Sequence, residues 1–206
     1  MLEDPYTSFR YPKLIIISGP SGVGKDTIAR GVIGKRPDEF YFVVTATTRP
    51  PRVGEVHGQD YFFVTHDQFA GMIEQGELLE YAVVYNDYKG IPKQQVRDAL
   101  ASGKNVIMRV DVQGAATVRK LLPNALFIFL RTRSEEALVR RLLERKSETP
   151  EGVKIRIATA REEMKRMDEF DFCVVNADGQ QDTAVANILA IVDAAHCRVH
   201  QQPIQL

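Results

Sequence analysis

A glycine-rich segment that ends in lysine is the first part of the sequence that could do chemistry. Residues 19–25 read Gly-Pro-Ser-Gly-Val-Gly-Lys, which matches GxxxxGK, and they follow a β-branched run at 14–17. Glycines let the backbone turn so that successive N–H groups converge on phosphate oxygens, and the N-terminus of a following helix adds its positive dipole end. We therefore predict a polyphosphate site, in which Lys25 neutralises charge between the β- and γ-phosphates.

The residue after this lysine departs from the usual pattern. A Ser or Thr that binds Mg²⁺ normally stands there, whereas this chain has Asp26 followed by Thr27. A carboxylate can ligate a hard cation directly, although it adds negative charge near a polyphosphate. We expect Asp26 to keep the metal role, directly or through water, with Thr27 as the fallback and Mg²⁺ as the cofactor.

A second group of candidate residues lies between Thr45 and Val64. It contains Arg49, Arg52 and Tyr61, with prolines at positions 50 and 51 that stiffen the turn. The planar guanidinium fork suits a phosphate monoester, and a Tyr hydroxyl can donate to the same oxygens. This segment predicts a second anion site, although a solvated polar loop is the alternative for its residues taken singly.

Two further stretches carry charged candidates. Residues 105–114 read as a strand that runs into a loop, so Asp111 falls at the carboxyl end of a strand, where open α/β sheets bind ligands. Arg141 and Arg145 are four apart on one predicted helix and share a face, while Arg156 lies on the next helix. We expect these arginines to belong to a lid, with solvated surface positions as the alternative for each.

The elements that must position these residues alternate between short apolar runs and helical patterns, which indicates α/β structure with a mainly parallel sheet. Strands are predicted at 14–17, 40–45, 105–110, 125–130 and 172–175. Helices are predicted from Lys25, near 67–75, over 112–122, from the N-cap Ser134 through Arg145, and from about Pro150. Between residues 45 and 92 the segments are short and alternating, which favours a small mixed insertion.

Composition limits the class of protein. The 206 residues include 27 Lys plus Arg and 27 Asp plus Glu, so there is no excess of positive charge for a nucleic-acid partner. The N-terminal apolar run is too short for a membrane span or signal segment, and Cys173 and Cys197 form no metal-binding pattern. We expect one soluble domain in a reducing, cytoplasmic setting, with its oligomeric state undecided.

Taken together, the sequence resembles the guanylate kinase family. The resemblance rests on the phosphate loop, the TTRxPRxGE block at 47–55 with its G-x-D-Y continuation at 58–61, and Glu77-Leu78-Leu79-Glu80, and it covers residues 14–178. It implies a P-loop NTPase-type parallel sheet flanked by helices (about 12–44, 93–140 and 165–198), a GMP-binding insertion (about 45–92) and a helical lid (about 141–164).

The resemblance also implies roles for single residues. Arg49, Arg52 and Tyr61 would hold the GMP phosphate, Glu55 would orient Arg49 or a metal-bound water, and Thr45 would assist Glu80 and Asp111 in recognising guanine. The residues assigned to ATP are Gly19, Pro20, Ser21, Gly22, Val23, Gly24, Lys25, Asp26, Thr27 and Asn176. Those assigned to GMP are Thr45, Arg49, Arg52, Glu55, Tyr61, Glu80, Tyr88, Lys89 and Asp111. Those assigned to catalysis are Lys25, Arg49, Arg141, Arg145 and Arg156.

Three positions differ from the family pattern. Lys89 replaces a phosphate-contacting Tyr, Ile91 replaces a base-contacting hydroxyl, and Arg109 stands where an Asp is usual. We expect Lys89 to reach the phosphate as a point charge, Tyr88 either to keep a local hydroxyl or to pack, and Arg109 either to face away or to pair with Asp26.

The implied activity is transfer of the γ-phosphoryl group of ATP to GMP, and to dGMP as well, with ATP and GMP as partners. Two alternatives stay open at this point: a non-catalytic guanylate-kinase-like domain that binds a protein, and a kinase for another monophosphate such as IMP. An Asp directly after the loop lysine is found in some organellar members of the family that the sequence resembles. An organellar origin is therefore the alternative to a cytoplasmic one.

Overall fold

Five short strands form the central sheet, and every pairing within it is parallel, as the alternating sequence pattern predicted. The structure is a computed structural model that describes residues 10–84, 86–144 and 150–206. In chain order the elements are β1 (Leu14–Ser18), α1 (Lys25–Lys35), β2 (Phe40–Phe42), β3 (Thr45–Thr47), β4 (Tyr61–Phe63), α2 (His66–Glu74), β5 (Leu78–Val84), β6 (Asp87–Pro92), α3 (Lys93–Ala101), β7 (Asn105–Arg109), α4 (Val112–Leu121), β8 (Leu126–Arg131), α5 (Glu135–Leu143), α6 (Pro150–Met164), β9 (Phe172–Val175) and α7 (Gln181–His196).

The central strand β1 is buried on both faces, which explains its continuous β-branched run. The sheet order is β2-β7-β1-β8-β9, so β1 lies in the middle. Leu14 and Ile16 pack into the hydrophobic cluster on one face, and Ile15 and Ile17 pack into the cluster on the other. The carboxyl ends of β1 and β7 therefore meet at one edge of the sheet, where their following loops lie side by side.

A second, four-stranded sheet is built from the segment that alternates in sequence. Its order is β4-β3-β6-β5, with β3 parallel to β4 and antiparallel to β6. A small cluster centred on Ala46, Phe69 and Leu78 packs this sheet against α2. The sheet holds the arginine-rich turn at one side of the central sheet's carboxyl edge.

One predicted strand is wrong. The apolar run Phe40–Thr45 was predicted as a single strand, but it contributes to two strands in different sheets. Phe40–Phe42 pairs with β7, whereas Thr45 begins the strand that pairs with β4 and β6. An apolar run signals burial and says nothing about a change of partner strand.

Helix starts were predicted more accurately than helix ends. The Ser134 hydroxyl accepts a hydrogen bond from the Ala137 N–H at 3.3 Å and caps α5, as predicted. That helix ends at Leu143, short of the predicted Arg145, which lies outside the described residues. Within the described ranges, no helix is long and apolar enough to cross a membrane.

Candidate active site

The loop between β1 and α1 lies close to strand β8, and this close approach requires glycine. Gly19, Gly22 and Gly24 have φ angles of 130°, 90° and 89°, in the left-handed region that disfavours side chains. A Cβ on Gly19 would overlap the carbonyl oxygen of Leu130 in β8. The loop therefore lies against the sheet edge, and its backbone leads directly into the N-terminus of α1.

Lys25, the first residue of α1, folds back over this loop. Its Nζ donates to the carbonyl oxygens of Gly19 at 2.5 Å and Pro20 at 3.0 Å. Burial lowers the pKa of this ammonium, and the carboxylates of Glu163, Asp26 and Asp111 oppose that change. Lys25 is thus a half-buried cation at a helix N-terminus, where an anion is favoured.

One cavity, of about 240 Å³, joins the loop to the arginine-rich segment. Its walls come from the loop, both sheets and α6, so residues far apart in the sequence face the same space. Of the predicted site residues, those that line it are Ser21, Gly22, Gly24, Lys25, Asp26, Thr27, Thr45, Arg49, Arg52, Tyr61, Glu80, Lys89, Asp111 and Arg156. The two predicted anion sites are therefore two ends of one cleft.

Arg49 is fixed by an acidic partner and by aromatic rings. Its Nη2 donates to both carboxylate oxygens of Glu55 at 2.9 Å, and the Arg52 backbone N–H donates to the same carboxylate at 2.7 Å. The guanidinium lies 5.1 Å from the Tyr61 ring centre and 5.7 Å from that of Phe63. The Glu55–Arg49 contact that the resemblance implied is present, and it fixes the orientation of the guanidinium.

A buried carboxyl group lies at the other side of the cavity. Glu80 is 6% exposed, and burial together with the neighbouring Asp111 raises its pKa to about 8. Within the described residues, neither Glu80 Oε2 nor the hydroxyl oxygen of Thr45 has a hydrogen-bond partner. Gly114 makes room for the carboxyl group, because a Cβ there would lie 2.7 Å from Glu80 Oε2.

Asp111 has a structural contact as well as a place in the cavity wall. It is the N-cap of α4, and its Oδ1 accepts from the Gly114 N–H at 2.7 Å. The same contact holds Gly114 beside Glu80. Asp111 therefore positions the turn against which the Glu80 carboxyl group packs.

Arg109 pairs with Asp26, one of the two arrangements the sequence left open. The two side chains form a salt bridge, and Arg109 Nη2 also donates to the Asp60 carbonyl oxygen at 3.3 Å. Although burial opposes it, the Arg109 guanidinium lowers the pKa of Asp26. Lys89 lies nearby in the cavity wall, and burial and then Arg109 lower its pKa to about 8.

The arginines of the predicted lid differ in what they reach. Arg156 Nη1 donates to the Ser21 hydroxyl at 3.1 Å, so α6 touches the loop directly. Arg141 instead donates to the Asn176 carbonyl at 2.9 Å and to the Asp178 carboxylate at 2.6 Å, outside the cavity lining. Arg145 lies outside the described residues.

Several other predicted residues support the site from behind it. Asn176 donates through Nδ2 to the Val23 carbonyl at 2.8 Å, which steadies the loop. The Tyr88 ring packs 5.3 Å from the Phe69 ring, which is the packing alternative, and it lies outside the cavity lining. Ile91 is fully buried in the core.

The sequence reasoning missed Glu163 of α6. This residue lines the cavity, and its carboxylate interacts electrostatically with Lys25. Burial raises its pKa, while Lys25 opposes that rise. Glu163 is half-buried on the inner side of α6, whereas its neighbour Glu162 is exposed. The sequence of this polar helix does not indicate which of the two glutamates faces the cavity.

A parallel sheet with a glycine-lysine loop at its carboxyl edge, and an arginine-rich anion site in the same cleft, defines a P-loop protein that can hold two phosphorylated ligands together. Comparisons with known proteins agree with this class. A family model described as guanylate kinase matches residues 11–195. The chain therefore belongs to the guanylate kinase family.

Individual relatives are similar over most of the chain. Guanylate kinase 2, chloroplastic/mitochondrial, of Oryza sativa subsp. japonica is 53% identical over 205 residues, which is 99% of this chain and 72% of that protein. A guanylate kinase of Nocardia farcinica is 49% identical, over 81% of this chain and 87% of that protein. The crystal structure of guanylate kinase from Anaplasma phagocytophilum is similar in fold, with a TM-score of 0.75 at 23% identity over 93% of this chain and 89% of that chain.

Proposed function

We propose that this protein transfers the γ-phosphoryl group of ATP to GMP, giving ADP and GDP, and accepts dGMP as well. The observation that carries the proposal is the single cavity lined by Lys25 at one end and by Arg49, Tyr61 and Glu80 at the other. Relatives named guanylate kinase, at 53% and 49% identity, support the same reaction.

Guanine is selected by the buried carboxyl group. Once ionised, Glu80 accepts hydrogen bonds from the N1–H and the exocyclic amine of guanine, and the Thr45 hydroxyl supplies a further polar contact. Adenine lacks this pair of donors and would leave the buried carboxylate unpaired, which costs roughly 1–3 kcal/mol or more for a charged group. The pocket therefore favours a 2-amino-6-oxo purine.

The reaction needs positioning and charge neutralisation, and it needs no protein nucleophile. A GMP phosphate oxygen attacks the γ-phosphorus in line, with Arg49 and Arg52 holding the acceptor phosphate. Lys25 and Arg156 neutralise charge on the phosphates of ATP, since both reach the loop. Arg141 acts from the loop's outer side, and we assign Arg145 to the same lid.

Mg²⁺ fits the residues present at the ATP end. Asp26 lines the cavity with a half-exposed carboxylate, Thr27 offers a hydroxyl, and Mg²⁺ is commonly held by one or two carboxylates together with substrate phosphates. Asp26 would hold the ion, directly or through water. The ion supplies neutralisation of the β- and γ-phosphate charge.

Closure of the lid is the proposed guard against wasteful hydrolysis. The contact from Arg156 to Ser21 supports this role for α6, and excluding water keeps ATP for the acceptor. The assignment of residues 45–92 to an acceptor subdomain and of 141–164 to a lid belongs to this proposal. The rice relative is named as chloroplastic/mitochondrial; a cytoplasmic location for this chain stays a prediction.

A coupled assay of ADP release tests the proposal. With Mg·ATP, turnover should be rapid with GMP and dGMP and near background with AMP and IMP. Lys25→Met should lose about three orders of magnitude in kcat with an unchanged circular dichroism spectrum. Well-folded protein that binds GMP but turns over none of the four acceptors would instead support a non-catalytic binding domain.

A further inference from the structure

Arg109 lies where the three parts of the active site meet. It ends β7 of the central sheet, pairs with Asp26 in the first turn of α1, and donates to the Asp60 carbonyl just before β4. Neither the phosphate-loop motif nor the arginine-rich segment assigns a role to this side chain. Its contacts nevertheless connect the ATP end of the cleft to the acceptor end.

The guanidinium is held firmly on the acceptor side. It lies 4.4 Å from the Tyr61 ring centre and 5.4 Å from that of Phe42, and the side chain is only 9% exposed. Stacking on aromatic faces and burial fix an arginine in place at little further entropic cost. Arg109 is therefore held beside Tyr61 by contacts that do not involve Asp26.

Asp26 is the more exposed half of the pair. Its side chain is 54% exposed, and it lines the cavity at the ATP end. As the proposed ligand of Mg²⁺, it has two alternative partners, the ion and Arg109. When it turns toward the ion, a buried guanidinium loses its counterion, and an unpaired buried charge is costly.

We propose that Arg109 couples the two substrate sites: when Asp26 turns to the Mg²⁺ of ATP, Arg109 takes the acceptor phosphate at Tyr61 as its new partner. This inference rests on the proposed function. Bound Mg·ATP then strengthens GMP binding, and by thermodynamic linkage GMP strengthens Mg·ATP binding by the same factor. Arg109 thereby supplies a further cation to the acceptor phosphate.

The departures from the family pattern at positions 26 and 109 are then the two halves of one ion pair. The carboxylate lost at position 109 reappears at position 26, and the cation gained at position 109 balances it. Where the family pattern has a hydroxyl at position 26 and a carboxylate at position 109, this chain has an ion pair with no net charge, which can open. The expected consequence is a substrate coupling that depends on both residues.

Isothermal titration of GMP, alone and with saturating Mg·AMP-PNP, tests the coupling without turnover. In the wild type the Kd of GMP should fall about tenfold when the analogue is present. In Arg109→Met it should be the same in both conditions. In Asp26→Asn, which frees Arg109 in advance, GMP alone should bind about tenfold more tightly than it does to the wild type.

Arg30→Met is the matched control. Arg30 also joins α1 to Asp60 by a salt bridge, but its side chain is 63% exposed and lies outside the cavity lining. That variant should keep the wild-type coupling. Thermal unfolding of each variant checks the fold, and Asp26→Asn decides the question by itself if Arg109→Met does not fold.

The outcomes separate this inference from the proposed function. Failure of the wild type to bind GMP would overturn the proposed function. If the wild type binds both ligands, an unchanged coupling in Arg109→Met, or unchanged or weaker binding of GMP alone in Asp26→Asn, would overturn the coupling and leave the activity standing.

Discussion

Replacing Glu80 with Gln should make the free protein less sensitive to alkaline pH. The pKa of Glu80 is raised from 4.5 to about 8 by burial, with Asp111 adding to the rise. A carboxyl group whose pKa is raised on folding contributes stability below its unfolded pKa, and that stability is lost as the pH rises through the folded pKa. The affected window therefore runs from about pH 4.5 to about pH 8 and slightly above it.

The magnitude follows from these two pKa values. The full difference of about three and a half pH units corresponds to about 5 kcal/mol, and about 3 kcal/mol of it falls between pH 6 and pH 9. The free energy of unfolding of the wild type, minus that of Glu80→Gln, should fall by that amount over the same range. Gln keeps the size of the side chain and cannot ionise, so the difference isolates the carboxyl group.

Urea denaturation at several pH values measures this difference. Glu77→Gln is the matched control, because Glu77 lies three positions away and is exposed. It should show no such dependence on pH. A flat difference for Glu80→Gln would mean that the carboxyl group already ionises freely in the folded protein, and the reasoning about its burial would be wrong.

Ligand binding provides a second measurement on the same group. If guanine requires the ionised form, GMP binding at pH 7 should release close to one proton per site. Calorimetry in buffers of different ionisation enthalpy counts that proton. Release should vanish in Glu80→Gln, whose affinity for GMP should also fall by about tenfold or more.

Three further changes test the rest of the site. Gly19→Ala should lower the free energy of unfolding by about 3 kcal/mol or more, because its Cβ would overlap the Leu130 carbonyl at a φ of 130°; Gly34→Ala, with open space around it, is the control, and equal effects in denaturant titrations would contradict the argument. Glu163→Gln should tighten ADP binding several-fold in calorimetry, since a carboxylate beside the loop N–H groups repels phosphate; weaker binding would argue for a direct role of its charge. Tyr88→Phe should leave the steady-state KM for GMP within about twofold of the wild type, because the ring packs away from the cavity; a large rise would return its hydroxyl to the site.

Local sequence patterns predicted the parts of the site that are contiguous in the chain. The segment 19–25 specifies its own backbone path, because the glycines and the lysine act within one loop. Arg49, Arg52 and Tyr61 are likewise close enough in sequence for residue types to predict a shared anion site. The strand β1 was predicted for the same reason, since its run of β-branched residues needs no distant information.

Contacts between distant segments could not be predicted in this way. The pairing of Asp26 with Arg109 stayed one of two alternatives in the sequence, because it depends on β1 and β7 being neighbours in the sheet, which brings their carboxyl ends together. Glu163 reaches the loop through the packing of α6, and a helical pattern with little amphipathic contrast does not reveal which glutamate faces inward. The split of 40–45 between two sheets depends on strand partners in the same way.

The distribution of unpaired buried atoms links stability to function. Among the described residues, six buried side-chain atoms have no hydrogen-bond partner, and three of them, Thr45 Oγ1, Glu80 Oε2 and Glu163 Oε2, belong to residues that line the cavity. Each such atom costs on the order of 1–3 kcal/mol in the free protein. A ligand that satisfies Thr45 and Glu80 recovers part of that cost, so GMP should raise the unfolding temperature by more than its buried apolar area accounts for. Substitutions that remove these atoms should have opposite effects on the two properties, stabilising the free protein and weakening its hold on guanine.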